Sequence, residues 1–412
     1  MSAFRNGYLL PCLVATLGGL LFGFDHIVIG GAKPFYEPYF GLTGAENAWA
    51  SGFAMAAEIF GCILGAVGFM WLPDRAGRKP SLTLSAVFFA VGAIWVSAAT
   101  SFWNFVAARM LEGVGIGIAT NASPVYIAEM SPADRRGRMV ALNQLAIVIG
   151  IILAQVSNWS IYKLVPDATV NWRVMFGMGI IPAVVFFILT WFIPESPGWL
   201  AQKGRERAEP VVRSGRWRGT LGVIALGVFL AAFQQWCGIT VVFTYAEEVF
   251  AAAGFDVSGV MFNQMITGSV NFTFTIVALF LVDRVGRRPL MLWGSGGLAL
   301  IFAAIGLGYF LGLKGVVMVV LVMSAIACFA VTLGPVVWVL LSELFPVRVR
   351  GTAMSIAVVA LWSSCYGLVL TFPPINVACG AAGTFWLYGA ICTVGFAVCA
   401  KCLKETNGTE LQ

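Results

Sequence analysis

The chain has 412 residues, of which 59% are hydrophobic and 11% charged, with a formal net charge of +6 and a mean hydropathy of +0.89. A soluble domain carries about a quarter charged residues, so this composition excludes an ordinary soluble fold. The positive charge is dispersed over short segments rather than gathered on one folded face, which argues against nucleic acid as a partner.

A bilayer core about 30 Å thick needs roughly 20 apolar residues per helix. Apolar stretches of that length predict twelve transmembrane helices in chain order, over 8–30, 49–72, 80–99, 102–126, 139–161, 172–193, 221–244, 260–282, 289–312, 315–341, 352–373 and 383–403. The first is longer than a signal-peptide core and lacks a small-residue cleavage site followed by a polar domain, so it reads as a retained helix. The nine cysteines fall almost wholly inside these spans, where small apolar residues are needed. Cys399 and Cys402 form a CxxC without a second ligand pair or a His cluster, so no metal site is expected. The chain also shows no nucleophile with a base and no nucleotide loop, so neither an enzyme nor a cofactor is expected.

Placing both termini in the cytoplasm tests the Lys and Arg bias of the loops. One side then holds Arg5, Arg75, Arg78, Lys79, Arg135, Arg136, Arg138, the basic run from Lys203 to Arg218, Arg284, Arg287, Arg288, Arg348, Arg350, Lys401 and Lys404. The other side holds Lys33, Lys163, Arg173 and Lys314, and Arg109 lies inside a span. The expectation is a multi-pass, monomeric protein of a plasma or bacterial inner membrane, with the lipid bilayer as its surroundings.

The chain repeats at about 210 residues, half its length. Asp74-Arg75-Ala76-Gly77-Arg78-Lys79 recurs as Asp283-Arg284-Val285-Gly286-Arg287-Arg288, each after the second helix of its half. Glu129, Pro132, Arg136 and Gly137 recur with identical spacing as Glu343, Pro346, Arg350 and Gly351, and Glu195-Ser196 is echoed by Glu405-Thr406. Three pairs in register predict an all-α polytopic protein made of two six-helix bundles, 1–200 and 221–412, joined by a short linker at 201–220. A glycine turn lets arginines fold back on carboxylates such as Glu129 and Glu343, and such pairs are expected to hold the halves together on the cytoplasmic side as a gate. The plainer alternative is that these arginines serve topology alone.

With these motifs, the chain resembles the sugar porter family of the major facilitator superfamily. The further runs Gly18-Gly19-Leu20-Leu21-Phe22-Gly23-Phe24-Asp25, Pro194-Glu195-Ser196-Pro197, Gln234-Gln235-Trp236-Cys237-Gly238-Ile239 and Gly334-Pro335-Val336-Val337-Trp338 carry that likeness. It implies a cavity that binds a small sugar through Gln144, Gln234, Gln235, Asn271, Trp338, Trp362 and Tyr245, with Phe22 adding apolar surface. Amides offer donors and acceptors to hydroxyls, and an indole covers a sugar's C–H face. The alternative for Gln144 and Asn271 is hydrogen bonding between helices. Thr240, Thr244, Leu361 and Ile151 depart from the family pattern, so hexose and pentose stay open. The roughly 20-residue linker is also shorter than the helical bundle usual in the family.

Asp25, Glu58, Arg109 and Glu112 lie inside predicted spans, where each needs a partner or a watery cavity. The resemblance implies that Asp25 and Arg109 form the pair that couples sugar to protons. Glu112, three residues after Arg109, shares its helical face and competes for the guanidinium. Three carboxylates on one guanidinium cannot all stay charged, so the cluster is expected to bind protons as a unit. The alternative leaves Glu58 and Glu112 hydrated at cavity walls. His26, the only histidine, reads as structural rather than as a pH sensor. The expected function is secondary active sugar transport by alternating access with proton symport; the competing readings are a facilitative uniporter, in which Asp25 and Arg109 are only structural, and a non-transporting sugar sensor.

Overall fold

The computed structural model describes residues 7–132, 136–206, 221–345 and 350–405. Among these residues the secondary structure is helical throughout, without a strand. Hydrocarbon offers no partner to a backbone N–H or C=O, and a helix satisfies both within its own segment.

Twelve long helical spans appear among the described residues. The first six are α1 (Leu9–Phe40), α2 (Ala48–Gly68), α3 (Arg78–Ser97), α4 (Phe102–Met130), α5 (Arg136–Leu164) and α6 (Ala168–Phe192). The second six begin with α7, assembled from Leu221–Trp236, Ile239–Thr244 and Ala246–Ala252, followed by α8 (Val257–Val285) and α9 (Arg287–Phe310). The tenth, α10, joins Val316–Val331 to Leu333–Leu344, and the helical run Arg350–Cys402 breaks at Gly380 into α11 (350–379) and α12 (381–402). Length and apolarity alone pass ten helices, because Arg350–Cys402 counts once and α4 carries Arg109 and Glu112 near its middle.

The first helix corrects the expected end at residue 30. It continues to Phe40 through Pro34 and Pro38, so Lys33 lies in a helix rather than in a loop. Two contacts extend it. Lys33 Nζ lies 2.9 Å from Glu37 Oε2 one turn on, and Tyr36 stacks on Phe105 with ring centroids 4.9 Å apart. A short helix, Pro197–Glu206, crosses the expected start of the linker at residue 201, and 207–220 lie outside the described residues.

Contacts divide the chain into two compact units, one formed by Met1–Phe40 and Ala57–Ser214, the other by Gly41–Ala56 and Gly215–Gln412. Gly41–Ala56 groups with the second unit rather than the first. Gly52 shows why: a side chain there would overlap the Leu370 carbonyl of α11.

Small residues draw the helices of the first unit together. A methyl at Gly113 would overlap the Glu58 carbonyl, and one at Gly61 the Met110 carbonyl, so α2 and α4 cross backbone to backbone. Gly23 and Gly150 do the same for α1 and α5 against the Ile147 and Leu20 carbonyls. These two crossings draw four helices of the unit into close pairs, α2 with α4 and α1 with α5.

Candidate functional site

Among these helices, α4 delivers Arg109, whose side chain is fully buried. Its Nη1 donates to Asp25 Oδ1 of α1 at 2.6 Å and to Glu112 Oε2, one turn along α4, at 2.8 Å. Its Nη2 donates to the Asp25 backbone carbonyl at 3.2 Å and to Glu58 Oε2 of α2. The guanidinium lies over the ring of Phe176 from α6, 5.2 Å from its centroid. All three carboxylates are buried, so one guanidinium faces three acids away from bulk water. A buried charge without a partner costs several kcal/mol, and full ionisation would leave two uncompensated negative charges here. At least one acid therefore holds a proton.

The cluster has room for proton traffic. Asp25 Oδ2 and Glu58 Oε1 lack hydrogen-bond partners among the described residues. Asp25 and Glu112 line a cavity of about 10 Å³ with Leu21, Phe24, Phe89, Ala93 and Gly179, close to the volume that one water needs. Glu58 and Glu112 thus both stand on Arg109, and Glu112 also lines the small cavity. His26 belongs here too, which the sequence reading did not foresee. Its Nδ1 lies 3.6 Å from Glu58 Oε1, and its ring is tilted against Phe22, 5.7 Å away. The available signal was its position directly after Asp25, one helical turn from Phe22.

The repeated motifs form the same structure twice. Gly77 (φ 114°) and Gly286 (φ 96°) hold left-handed backbone at the starts of α3 and α9, and a Cβ on either would crowd the carboxylate of Glu195 or Glu405. Glu195 Oε1 accepts from the backbone N–H of Arg78 at 3.0 Å and of Lys79 at 3.2 Å; Glu405 accepts from those of Arg287 at 3.0 Å and Arg288 at 3.1 Å. A carboxylate is favoured at a helix N-terminus by the unpaired amides and the dipole. The next arginine then pairs with a second acid, Arg78 with Glu129 and Arg287 with Glu343, both at 3.0 Å.

These pairs correct one expectation. Each runs inside its own unit, so they clamp the helices of a half rather than tie one half to the other. Asp74 pairs with Arg78 at 3.4 Å while staying well exposed, and Arg75 and Arg284 are exposed, with Arg75 over the Trp71 ring. Trp199 Nε1 donates to the Asp74 carbonyl at 2.8 Å, and Ser196 Oγ donates to Glu129 Oε2, which fixes the Pro194-Glu195-Ser196-Pro197 turn beside the motif. The side chains of Arg136, Asp283 and Arg350 lie outside the described residues.

Of the expected sugar ligands, Phe22 and Gln144 are half-buried in the first unit, and the other six belong to the second. Gln234 is buried, and its Nε2 donates to the carbonyls of Leu333 at 3.2 Å and Gly334 at 3.0 Å. Thr332 interrupts α10 there, and Gln234 is tied to the first turn of the helix that restarts at Leu333. Its Oε1 is what it can offer a ligand. Gln235 is half-buried, and its Oε1 accepts from the Thr240 hydroxyl at 3.0 Å, beside the left-handed Gly238 that breaks α7. Tyr245 is fully buried; its hydroxyl donates to the Val369 carbonyl at 2.7 Å and its ring packs on Phe372, which makes it a tie between α7 and α11. Asn271 on α8 and Trp362 on α11 are buried, while Trp338, one turn after Gly334, is half-buried.

Duplicated helical units, interrupted helices beside buried amides and an ionic cluster at membrane depth define a secondary transporter of the major facilitator type. The family model for sugar (and other) transporters matches residues 11–220 and 211–412, and the chain belongs to that family. Among curated relatives, the D-xylose-proton symporter of Escherichia coli (strain K12) is 36% identical over all of this chain and 96% of its own length. The arabinose-proton symporter of the same strain is 33% identical over 99% of this chain and 93% of its own. A solved structure of the E. coli xylose transporter, partially occluded and open inward, aligns with a TM-score of 0.87 at 34% identity, covering 99% of this chain and 100% of that one.

Proposed function

We propose that this protein carries a small sugar across a membrane by alternating access, in symport with protons. The observation that carries the reading is the buried contact of Arg109 with Asp25, Glu58 and Glu112, whose excess negative charge a bound proton offsets. The relatives named as D-xylose-proton and arabinose-proton symporters support a pentose as the first sugar to test, with hexoses beside it.

In the second unit the sugar meets the half-buried Gln235 and Trp338, with Gln234 offering its carbonyl oxygen and Asn271 and Trp362 completing the polar and aromatic surface. Asp25 and Arg109 act as the coupling pair. Protonation of the cluster loosens the hold on Arg109, and the altered charge changes which side of the protein can close. The motif arginines and their acids, with both termini, lie in the cytoplasm, where the Arg78–Glu129 and Arg287–Glu343 clamps let each half move as a body. The protein works as a monomer in a plasma or bacterial inner membrane and catalyses no covalent reaction.

The test is a panel of labelled pentoses, hexoses and polyols in proteoliposomes, with and without an inward proton gradient. Accumulation of one sugar above its external level only when the gradient is present is the expected result. Equal, non-accumulative entry in both cases would make the protein a facilitative uniporter, and binding without entry a sensor.

A further inference from the structure

The cluster around Arg109 has one member that water can reach more readily than the rest. Between Leu21 and Lys33 every residue of α1 is buried except Phe22 and His26, which share one face of the helix. The His26 side chain keeps 14% of its exposure, against 10% for Asp25 and 1% for Glu58. An ionisable ring at membrane depth is costly against lipid, so its open edge faces an aqueous path. Glu58 is reached from two sides, with Oε2 on Arg109 Nη2 and Oε1 facing His26 Nδ1 at 3.6 Å. The other charged groups of the cluster, all joined to Arg109, are Asp25 on the same helix as His26 and Glu112 on α4. The stretches of α5 and α6 that pack on α1 at this depth, near Ile147, Phe176 and Gly179, hold no acid or base.

We propose that His26 is the residue through which the buried cluster exchanges protons with water, handing them to Glu58 and taking them back. The inference rests on the proton-symport reading and deepens it. In loading, a proton from water binds Nε2 of the neutral ring whose Nδ1–H faces Glu58. The Nδ1–H bond breaks as that proton joins Glu58 Oε1, leaving a neutral ring with its hydrogen on Nε2 and a neutral Glu58. Unloading runs the same steps backwards: Glu58 returns its proton to Nδ1, and Nε2 releases one to water. The ring regains its starting tautomer in each cycle, so no ring flip and no other reactant is needed. Neutral Glu58 no longer competes for Arg109, which then has Asp25 and Glu112 as its partners. His26 is therefore a positioning and relay residue, not a sugar ligand.

The experiment uses the full chain in proteoliposomes and compares the parent with His26→Gln, Glu58→Gln and Asp25→Asn. The readout is the rate of sugar-triggered proton uptake divided by the rate of sugar counterflow in the same vesicles, a ratio that loss of folded protein does not move. His26→Gln should lower this ratio roughly 100-fold or more, the scale of a lost proton-transfer group. Free imidazole should restore part of the rate in His26→Gln but none in Glu58→Gln, which lacks the acceptor. Because His26 is the only histidine, a histidine-selective acylating reagent on the parent protein gives the same answer without a variant; it should stop proton uptake and spare counterflow. A parent-like ratio and pH profile in His26→Gln, with the ratio lost in Asp25→Asn, would overturn the relay and leave proton symport standing. No sugar-triggered proton uptake by the parent would overturn both.

Discussion

Arg109 holds Asp25 twice, with Nη1 2.6 Å from the carboxylate oxygen Oδ1 and Nη2 3.2 Å from the backbone carbonyl of the same residue. Protonating the carboxyl weakens the first contact and leaves the second. The guanidinium therefore stays tethered to α1 when its charge partner is lost, and what changes is the electrostatic hold between α1 and α4.

Asp25→Asn makes that loss permanent. A proton crossing about 100 mV carries about 2.3 kcal/mol, enough for roughly fifty-fold accumulation. In this variant the accumulation ratio of labelled sugar under a proton gradient should fall to about one, since no energy then couples to uptake. Accumulation at the parental level would remove Asp25 from the coupling pair.

Removing the cation is a harsher change. Arg109→Met leaves Asp25, Glu58 and Glu112 buried around an apolar side chain. Breaking a buried ion pair from one side costs about 3–5 kcal/mol, so thermal unfolding in detergent should show a large drop in Tm. A triple change adding Asp25→Asn and Glu58→Gln should recover much of it, because the stranded charges are gone. Absence of any recovery would show that Arg109 acts through packing on Phe176 alone.

The duplicated caps make a paired prediction. Glu195→Ala and Glu405→Ala each strip the acceptor from two backbone N–H groups at a helix start, of α3 and α9 respectively. Each should cost about 1 kcal/mol of stability, the scale of a lost N-cap. Equal losses in denaturation midpoint, adding in the double variant, are the expected outcome; a neutral Glu405→Ala would mean that the second cap contributes nothing.

Neighbouring glutamines should separate binding from structure. Gln235→Ala loses one hydrogen-bonding amide at a half-buried position, worth about 1 kcal/mol, so sugar affinity measured by calorimetry should weaken roughly five-fold at unchanged Tm. Gln234→Leu removes two buried hydrogen bonds to the Leu333 and Gly334 carbonyls beside the α10 break and should lower Tm as well as affinity. A Tm loss confined to Gln235→Ala would reverse the two roles.

By itself the sequence determined the helices, their number and their duplication. Those features depend on local apolarity over a bilayer's thickness and on motifs repeated at a fixed interval, both of which are linear properties. The sequence also showed that each intramembrane charge needs a partner, while the pairing of Asp25 with Arg109 came only from the likeness to the sugar porters. Tertiary structure alone decided the rest. Lys33 joined a helix because Glu37 and Phe105 lay within reach of it and Tyr36, and the motif arginines closed clamps within each half because Glu129 and Glu343 come from helices of the same unit. Gln234 and Tyr245 proved to be tied to backbone carbonyls that lie 99 and 124 residues away in the chain. His26 shows the reason most plainly. Its neighbour in sequence is Asp25, yet the group it faces is Glu58 on another helix, brought there by glycine crossings that no single segment encodes.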